Sequence, residues 1–193
     1  MKKAFLFILF SLLFRVGNTQ TQVSWERVLN TQAIAIAINP FDDHIIYTTS
    51  GNNFVVSNDA GATWITRNNN IPSDCKSIAV SPFDTSLIII YADGNLLRSV
   101  NGGYNWDIVL QDVSMNGETL DFHPTQPDSV FYVDFLTGTL WVSADQGEHW
   151  SVRTVIADLR EVCSFTINPH DPQQMLAGAA QSNVKITHDG GFT

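Results

Sequence analysis

From residue 33 onward the apolar residues fall in short runs of four to six, rich in Val, Ile, Phe and Trp and broken by Pro, Gly, Asn and Asp. Runs this short, with β-branched and aromatic side chains and turn residues at both ends, predict strands rather than helices. The second unit shows the plan, with runs at 77–80, 87–91, 96–99 and 106–110. The first repeats it at 33–38, 45–49, 54–57 and 63–67. No helix of consequence is expected within this region.

The N-terminus has a different pattern. Lys2 and Lys3 precede an apolar run over 4–14 that is short for a bilayer span. This is the layout of a secretory signal, with removal expected near Thr19 and a mature chain that is extracellular, periplasmic or at the cell surface. No Cys lies just after the run and no later segment is apolar enough for a helical span, so membrane insertion is not expected.

Four stretches align without gaps: Ser57-Asn-Asp-Ala-Gly-Ala-Thr-Trp64, Ser99-Val-Asn-Gly-Gly-Tyr-Asn-Trp106, Ser143-Ala-Asp-Gln-Gly-Glu-His-Trp150 and Thr187-His-Asp-Gly-Gly-Phe-Thr193. Their starts lie 42, 44 and 44 residues apart. A second marker keeps step, with Pro40, Pro82, Pro124 and Pro169 spaced by 42, 42 and 45. Four short antiparallel strands every forty-odd residues predict blades of a β-propeller, each hiding its apolar faces against the next. The expected fold is therefore all-β, about four four-stranded blades near 33–67, 77–110, 119–153 and 163–193, forming an incomplete ring over 20–193. Residues 24–29, with Trp25-Glu-Arg-Val28 matching Trp106-Asp-Ile-Val109, are expected to be the closing strand of a last blade supplied by a longer chain.

The Ser-x-Asp-x-Gly-x-Thr-Trp box resembles the Asp-box, or bacterial neuraminidase repeat, found in sialidases, xyloglucanase-type glycoside hydrolases, sortilin-type receptors and photosystem II assembly propellers. The resemblance implies a propeller whose rings commonly close with about six or more blades. It implies no single activity, since one fold carries many. In the box, Gly61, Gly103, Gly147 and Gly191 suit a turn that needs positive φ. Asp59, Asp145 and Asp189 can accept bonds from their own turn, and Asn101 replaces Asp without losing the acceptor. Ser57, Ser99 and Ser143 open the boxes, and Trp64, Trp106 and Trp150 are expected between neighbouring sheets. All of these are read as architecture.

Strand order puts the box turns and the Pro-containing turns on one face of the ring. The other face collects 50–53, 68–74, 93–95, 111–118, 134–139, 157–161 and 180–183, and there a site is expected. Glycoside hydrolysis needs two carboxyl groups across the sugar. Asp93 and Asp134 occupy corresponding turns and are the two catalytic candidates, although Asp93-Gly94 is equally a favoured hairpin pair. The turn where a xyloglucanase-type enzyme carries an acid reads Thr49-Ser50-Gly51-Asn52, without one. A sialidase resemblance would need an Arg-Ile-Pro segment and an arginine triad. No such segment occurs, and after residue 19 only Arg27, Arg67, Arg98, Arg153 and Arg160 remain.

Charge narrows the partners. The whole chain carries −9, and residues 20–193 hold seven basic against 19 acidic residues, or −12. Nucleic acid and anionic lipid are poor partners for such a surface; a protein or carbohydrate ligand is expected. Cys75 and Cys163 fall in non-adjacent repeats and are read as two unpaired core thiols. His44, His123, His149, His170 and His188 fall singly in turns, without metal-ligand spacing, and are read as solvated. No cofactor motif is present. The leading expectation is a secreted, non-catalytic binding or scaffolding propeller; the alternative is a glycoside hydrolase whose catalytic residues lie mainly in blades beyond this sequence.

Overall fold

The computed structural model describes residues 26–30, 32–73, 75–180 and 183–193; the expected signal segment, Trp25, Asp74, Gln181 and Ser182 lie outside them. Fifteen strands form four sheets in chain order. The first sheet contains β1 (Ile36–Ile38), β2 (Ile46–Ser50), β3 (Asn53–Ser57) and β4 (Ile65–Asn68). The second contains β5 (Cys75–Val80), β6 (Ile88–Ala92), β7 (Asn95–Ser99) and β8 (Asp107–Leu110), and the third β9 (Leu120–Phe122), β10 (Val130–Val133), β11 (Thr139–Ser143) and β12 (Ser151–Val155). The fourth has three strands, β13 (Val162–Ile167), β14 (Met175–Ala179) and β15 (Val184–Thr187). Within each sheet every strand pairs antiparallel with its sequence neighbour, so each sheet is a meander. No helix of the described residues is long and apolar enough to cross a membrane.

The first strands of successive sheets lie side by side, β1 against β5, β5 against β9 and β9 against β13, and form the wall of a channel. Three apolar clusters fill the gaps between sheets. Tyr47, Phe54 and Val56 of the first meet Ile88 and Ile90 of the second; Ile89 and Tyr91 meet Val130 and Tyr132; Phe131 and Leu140 meet Phe165 and Met175. The core thus lies between blades, and a lone blade would have none. Cys75 and Cys163 form no disulfide.

The ring is incomplete, and its two ends differ from its interior. Ile78 and Val80 of β5 pack into the cluster shared with the first blade. Ile36 and Ile38, their counterparts on β1, have no preceding blade among the described residues and are 67% and 59% exposed. At the other end Val184 and Ile186 of β15 are likewise open. Residues 26–30 form no strand, but the Val28 carbonyl accepts the Trp64 indole N–H at 3.0 Å.

Each complete blade carries one bulge at the same place in its outer pair: between Phe54 and Val55, Leu96 and Leu97, and Leu140 and Trp141. The unmatched outer-strand residues are Arg67, Val109 and Arg153, each three positions after the box Trp. A bulge re-aims its extra side chain, and here it directs the arginines toward the next blade.

Candidate functional site

The boxes build turns with their side chains. Ser57 Oγ donates to Asp59 Oδ1 (2.8 Å) and accepts the Gly61 N–H (2.8 Å), while Asp59 accepts the Thr63 N–H (2.7 Å) and hydroxyl (2.6 Å). Those bonds, the Thr63 hydroxyl foremost, hold the Asp59 carboxyl below its ordinary value. Ser99, Asn101 and Gly103 repeat the pattern, with Asn101 Oδ1 accepting the Asn105 N–H at 2.9 Å. Ser143, Asp145 and Gly147 do so with His149; its N–H foremost, then the Ser143 hydroxyl and the His149 ring, hold Asp145 at about 2. In the fourth box Thr187, Asp189 and Gly191 make the same bonds. Trp64, Trp106 and Trp150 each donate the indole N–H to the box glycine carbonyl, at 3.0, 3.2 and 3.1 Å.

Sequence reasoning missed the fourth box position. Ala60, Gly102, Gln146 and Gly190 all have positive φ, and each donates its N–H to a carbonyl of the Pro-containing turn of its own blade: His44, Ser86, Asp128 and Gln173. From the second box onward, the carbonyl at this position accepts an arginine of the preceding blade: Arg67 to Gly102 (2.8 Å), Arg98 to Gln146 (2.9 Å) and Arg153 to Gly190 (2.7 Å). Where the bulged residue is Val109, Arg98 on the adjacent strand supplies the bond. Three of the five arginines after residue 19 therefore bind blade to blade on the box face.

The residue before each marker Pro is an acceptor as well. Asn39, Ser81, His123 and Asn168 each take a main-chain N–H two residues on, at 2.9, 3.2, 3.2 and 3.0 Å. His123 is thus buried, not solvated as expected, and accepts through Nδ1; burial, then the Arg153 charge, lowers its pKa. His44 lies beside Asp42 and Asp43, and all three are exposed.

On the opposite face the two candidate acids differ. Asp93 and Gly94 are the central pair of a two-residue hairpin, at φ 49° and 78°, with the Asp93 side chain exposed. Asp134 is 6% exposed, turned into the protein. It accepts from the Ser114 N–H (2.8 Å) and hydroxyl (2.9 Å), the Leu136 N–H (3.0 Å), and the Thr137 N–H (2.9 Å) and hydroxyl (2.8 Å). Burial pushes its carboxyl up, but the bonds from Ser114 and Thr137 outweigh that and keep it below its ordinary value. Tyr132, raised by burial, donates to the Ser114 carbonyl beside it. Asp134 clasps the β10–β11 turn to the incoming link of the same blade, and a carboxylate so held is a poor proton donor.

The acid that stands out lies on the channel wall. A cavity of about 640 Å³ runs along the first strands, with Lys76, Glu118, Asp121 and Thr166 among its polar lining. Lys76 is the extra residue of a bulge at the head of β5, and Glu118 precedes β9 and bridges to Ser164 of the fourth blade. Gly117 allows that approach: a Cβ there would stand 2.1 Å from the Cys163 carbonyl oxygen. Asp121 is raised to about 6, chiefly by burial and further by Glu118, against N–H groups of Ile167 and Phe122 that pull it down. An acid in the middle of Leu120-Asp-Phe122 reads in sequence as an ordinary outward-facing strand residue, so only the blade arrangement shows that it faces the channel.

No protein-family model and no curated protein matches the chain. Solved structures do. An ancestral GH74 enzyme superposes with a TM-score of 0.72 at 17% identity, over 84% of this chain and 23% of that one. The GH74 xyloglucanase from Xanthomonas campestris gives 0.68 at 16%, over 83% and 29%. A nidogen/laminin complex gives 0.60 at 11%, over 80% and 64%. This chain spans about a quarter of the length of the GH74 enzymes. At such identities the likeness is one of fold, and the chain is all-β, built of antiparallel propeller blades in an incomplete ring.

Proposed function

We propose that this chain forms blades of a secreted Asp-box propeller that binds a protein or glycan ligand at its channel wall without turning it over. The observation that carries the reading is the division of labour among charged groups. Asp134 and three arginines hold turns and interfaces of the blades themselves, whereas Glu118 and Asp121 are among the lining of an open cavity. A fold neighbour solved as a nidogen/laminin complex supports a protein ligand. Secretion is supported by the basic and apolar start of the sequence, and N-terminal sequencing of the exported protein should find Gln20 or a close neighbour first.

One observation favours glycoside hydrolysis instead: a carboxyl near 6 beside a second acid suits a proton donor, and GH74 enzymes share the fold. Calorimetry with xyloglucan oligosaccharides, sialyllactose and a lysine-rich peptide, run beside a reducing-end assay, separates the readings. Binding of one probe, weakened at least about tenfold by Asp121→Asn or Glu118→Gln and without product, is the expected result. Product formation that Asp121→Asn abolishes would replace binding by hydrolysis.

A further inference from the structure

The sequence holds two Asn-Gly pairs, Asn101-Gly102 and Asn116-Gly117. Asparagine before glycine is open to self-reaction, because glycine has no side chain to hinder the approach of its nitrogen to the asparagine amide and leaves the backbone free to bend. The fold treats the two pairs differently. Gly102 is buried, and its N–H is given to the Ser86 carbonyl at 2.8 Å. Asn101 Oδ1 accepts the Ser99 hydroxyl (3.0 Å) and the Asn105 N–H (2.9 Å), so both reacting groups are held, and bringing them together would break these bonds. Asn116 and Gly117 are exposed in the link before β9, with Gly117 at φ 118°. Neither the Asn116 side-chain amide nor the Gly117 N–H makes a hydrogen bond among the described residues.

We infer that Asn116 is a site of spontaneous deamidation in the folded protein, and that the box turn shields Asn101 from the same reaction. The Gly117 nitrogen bonds to the side-chain carbonyl carbon of Asn116, and ammonia leaves with the proton from that nitrogen. Water then opens the cyclic imide at either carbonyl. One opening yields an ordinary aspartate, a new negative charge two residues before Glu118. The other yields an isoaspartate, whose main chain is longer by a methylene. Location gives the second product a consequence. Gly117 sits against the Cys163 carbonyl, where even a Cβ would stand 2.1 Å from the oxygen, and the Glu118 carbonyl accepts the Phe165 N–H at 2.9 Å. A lengthened chain finds no room there, so isoaspartate loosens the contact between the third and fourth blades on the channel wall.

The test incubates the folded 193-residue chain at mildly alkaline pH and follows both pairs by peptide mapping with mass spectrometry that separates aspartate from isoaspartate. Asn116 should convert at least about tenfold faster than Asn101, and full denaturation in urea should bring the two rates together. Hydrogen exchange at the Phe165 amide should be faster in the isoaspartyl fraction than in fresh chain. It should be unchanged in Asn116→Asp, which carries the charge without the added methylene. An Asn116 that stays intact in the folded chain while the unfolded chain converts, equal rates in the folded chain, or a rate gap that survives denaturation would each overturn the assignment. Unchanged exchange at Phe165 in the isoaspartyl fraction would overturn its consequence for the blade contact.

Discussion

Gly61 and Gly103 hold the same place in their boxes and the same φ of 90°, yet the space beyond them differs. A Cβ at Gly103 would lie 2.2 Å from a Phe54 ring carbon, whereas at Gly61 the nearest atoms belong to Val28 at 3.4 Å. Gly103→Ala should therefore cost about 3 kcal/mol, left-handed strain plus a clash, and Gly61→Ala about 1 kcal/mol from strain alone. Denaturant midpoints compare them. Ala60, at φ 56°, is the converse, and Ala60→Gly should raise stability by about 0.5 kcal/mol. The box register was legible because its Ser, Asp, Gly and Trp act through side-chain chemistry or its absence. The neighbouring position was not, because Ala60 and Gln146 act there mainly through main-chain groups that any residue possesses.

At the scale of the element, the bulge and the arginine form one device. Strand runs and turn residues made the blades legible, but a bulge depends on pairing between strands, and the arginine's target lies in the following blade. Arg153 shows the consequence: its guanidinium donates to the Gly190 carbonyl and lies 5.2 and 4.5 Å from the centres of the Phe131 and Phe192 rings. Arg153→Ala should destabilise by about 1–2 kcal/mol, with Arg153→Lys recovering less than half, since an ammonium cannot both stack and donate in plane. Thermal unfolding measured at low and high salt provides the check. His123 adds a pH dependence to the turn beside it. Its pKa is lowered on folding, so its contribution is intact above about 6.5 and is lost as pH falls through the lowered value. The His123→Asn variant, which keeps an acceptor like Asn39 and Asn168, should remove that part of the acid sensitivity.

For the whole molecule, the apolar faces at Ile36 and Ile38 and at Val184 and Ile186 mark where further blades would stack. The channel wall they interrupt is the feature sequence reading approached least closely. The linking segment 111–118 reached Glu118, but Asp121 lies inside a strand, and its burial comes from blades brought together only by folding. Its raised pKa has a definite sign: the neutral acid favours the fold fully below about 4, and that contribution is lost as pH rises through about 6. Asp121→Asn should then stabilise the chain at pH 7 by about 1 kcal/mol and leave it unchanged at pH 3.5. The central claim, that the boxes are architecture and the channel wall is the working surface, is met most directly by titrating the Asp121 side-chain carboxyl carbon by NMR, with Asp121→Asn for assignment. The account predicts a midpoint near 6 that moves down in Glu118→Gln. A midpoint near 4, indifferent to Glu118, would describe an ordinary solvated acid and contradict it.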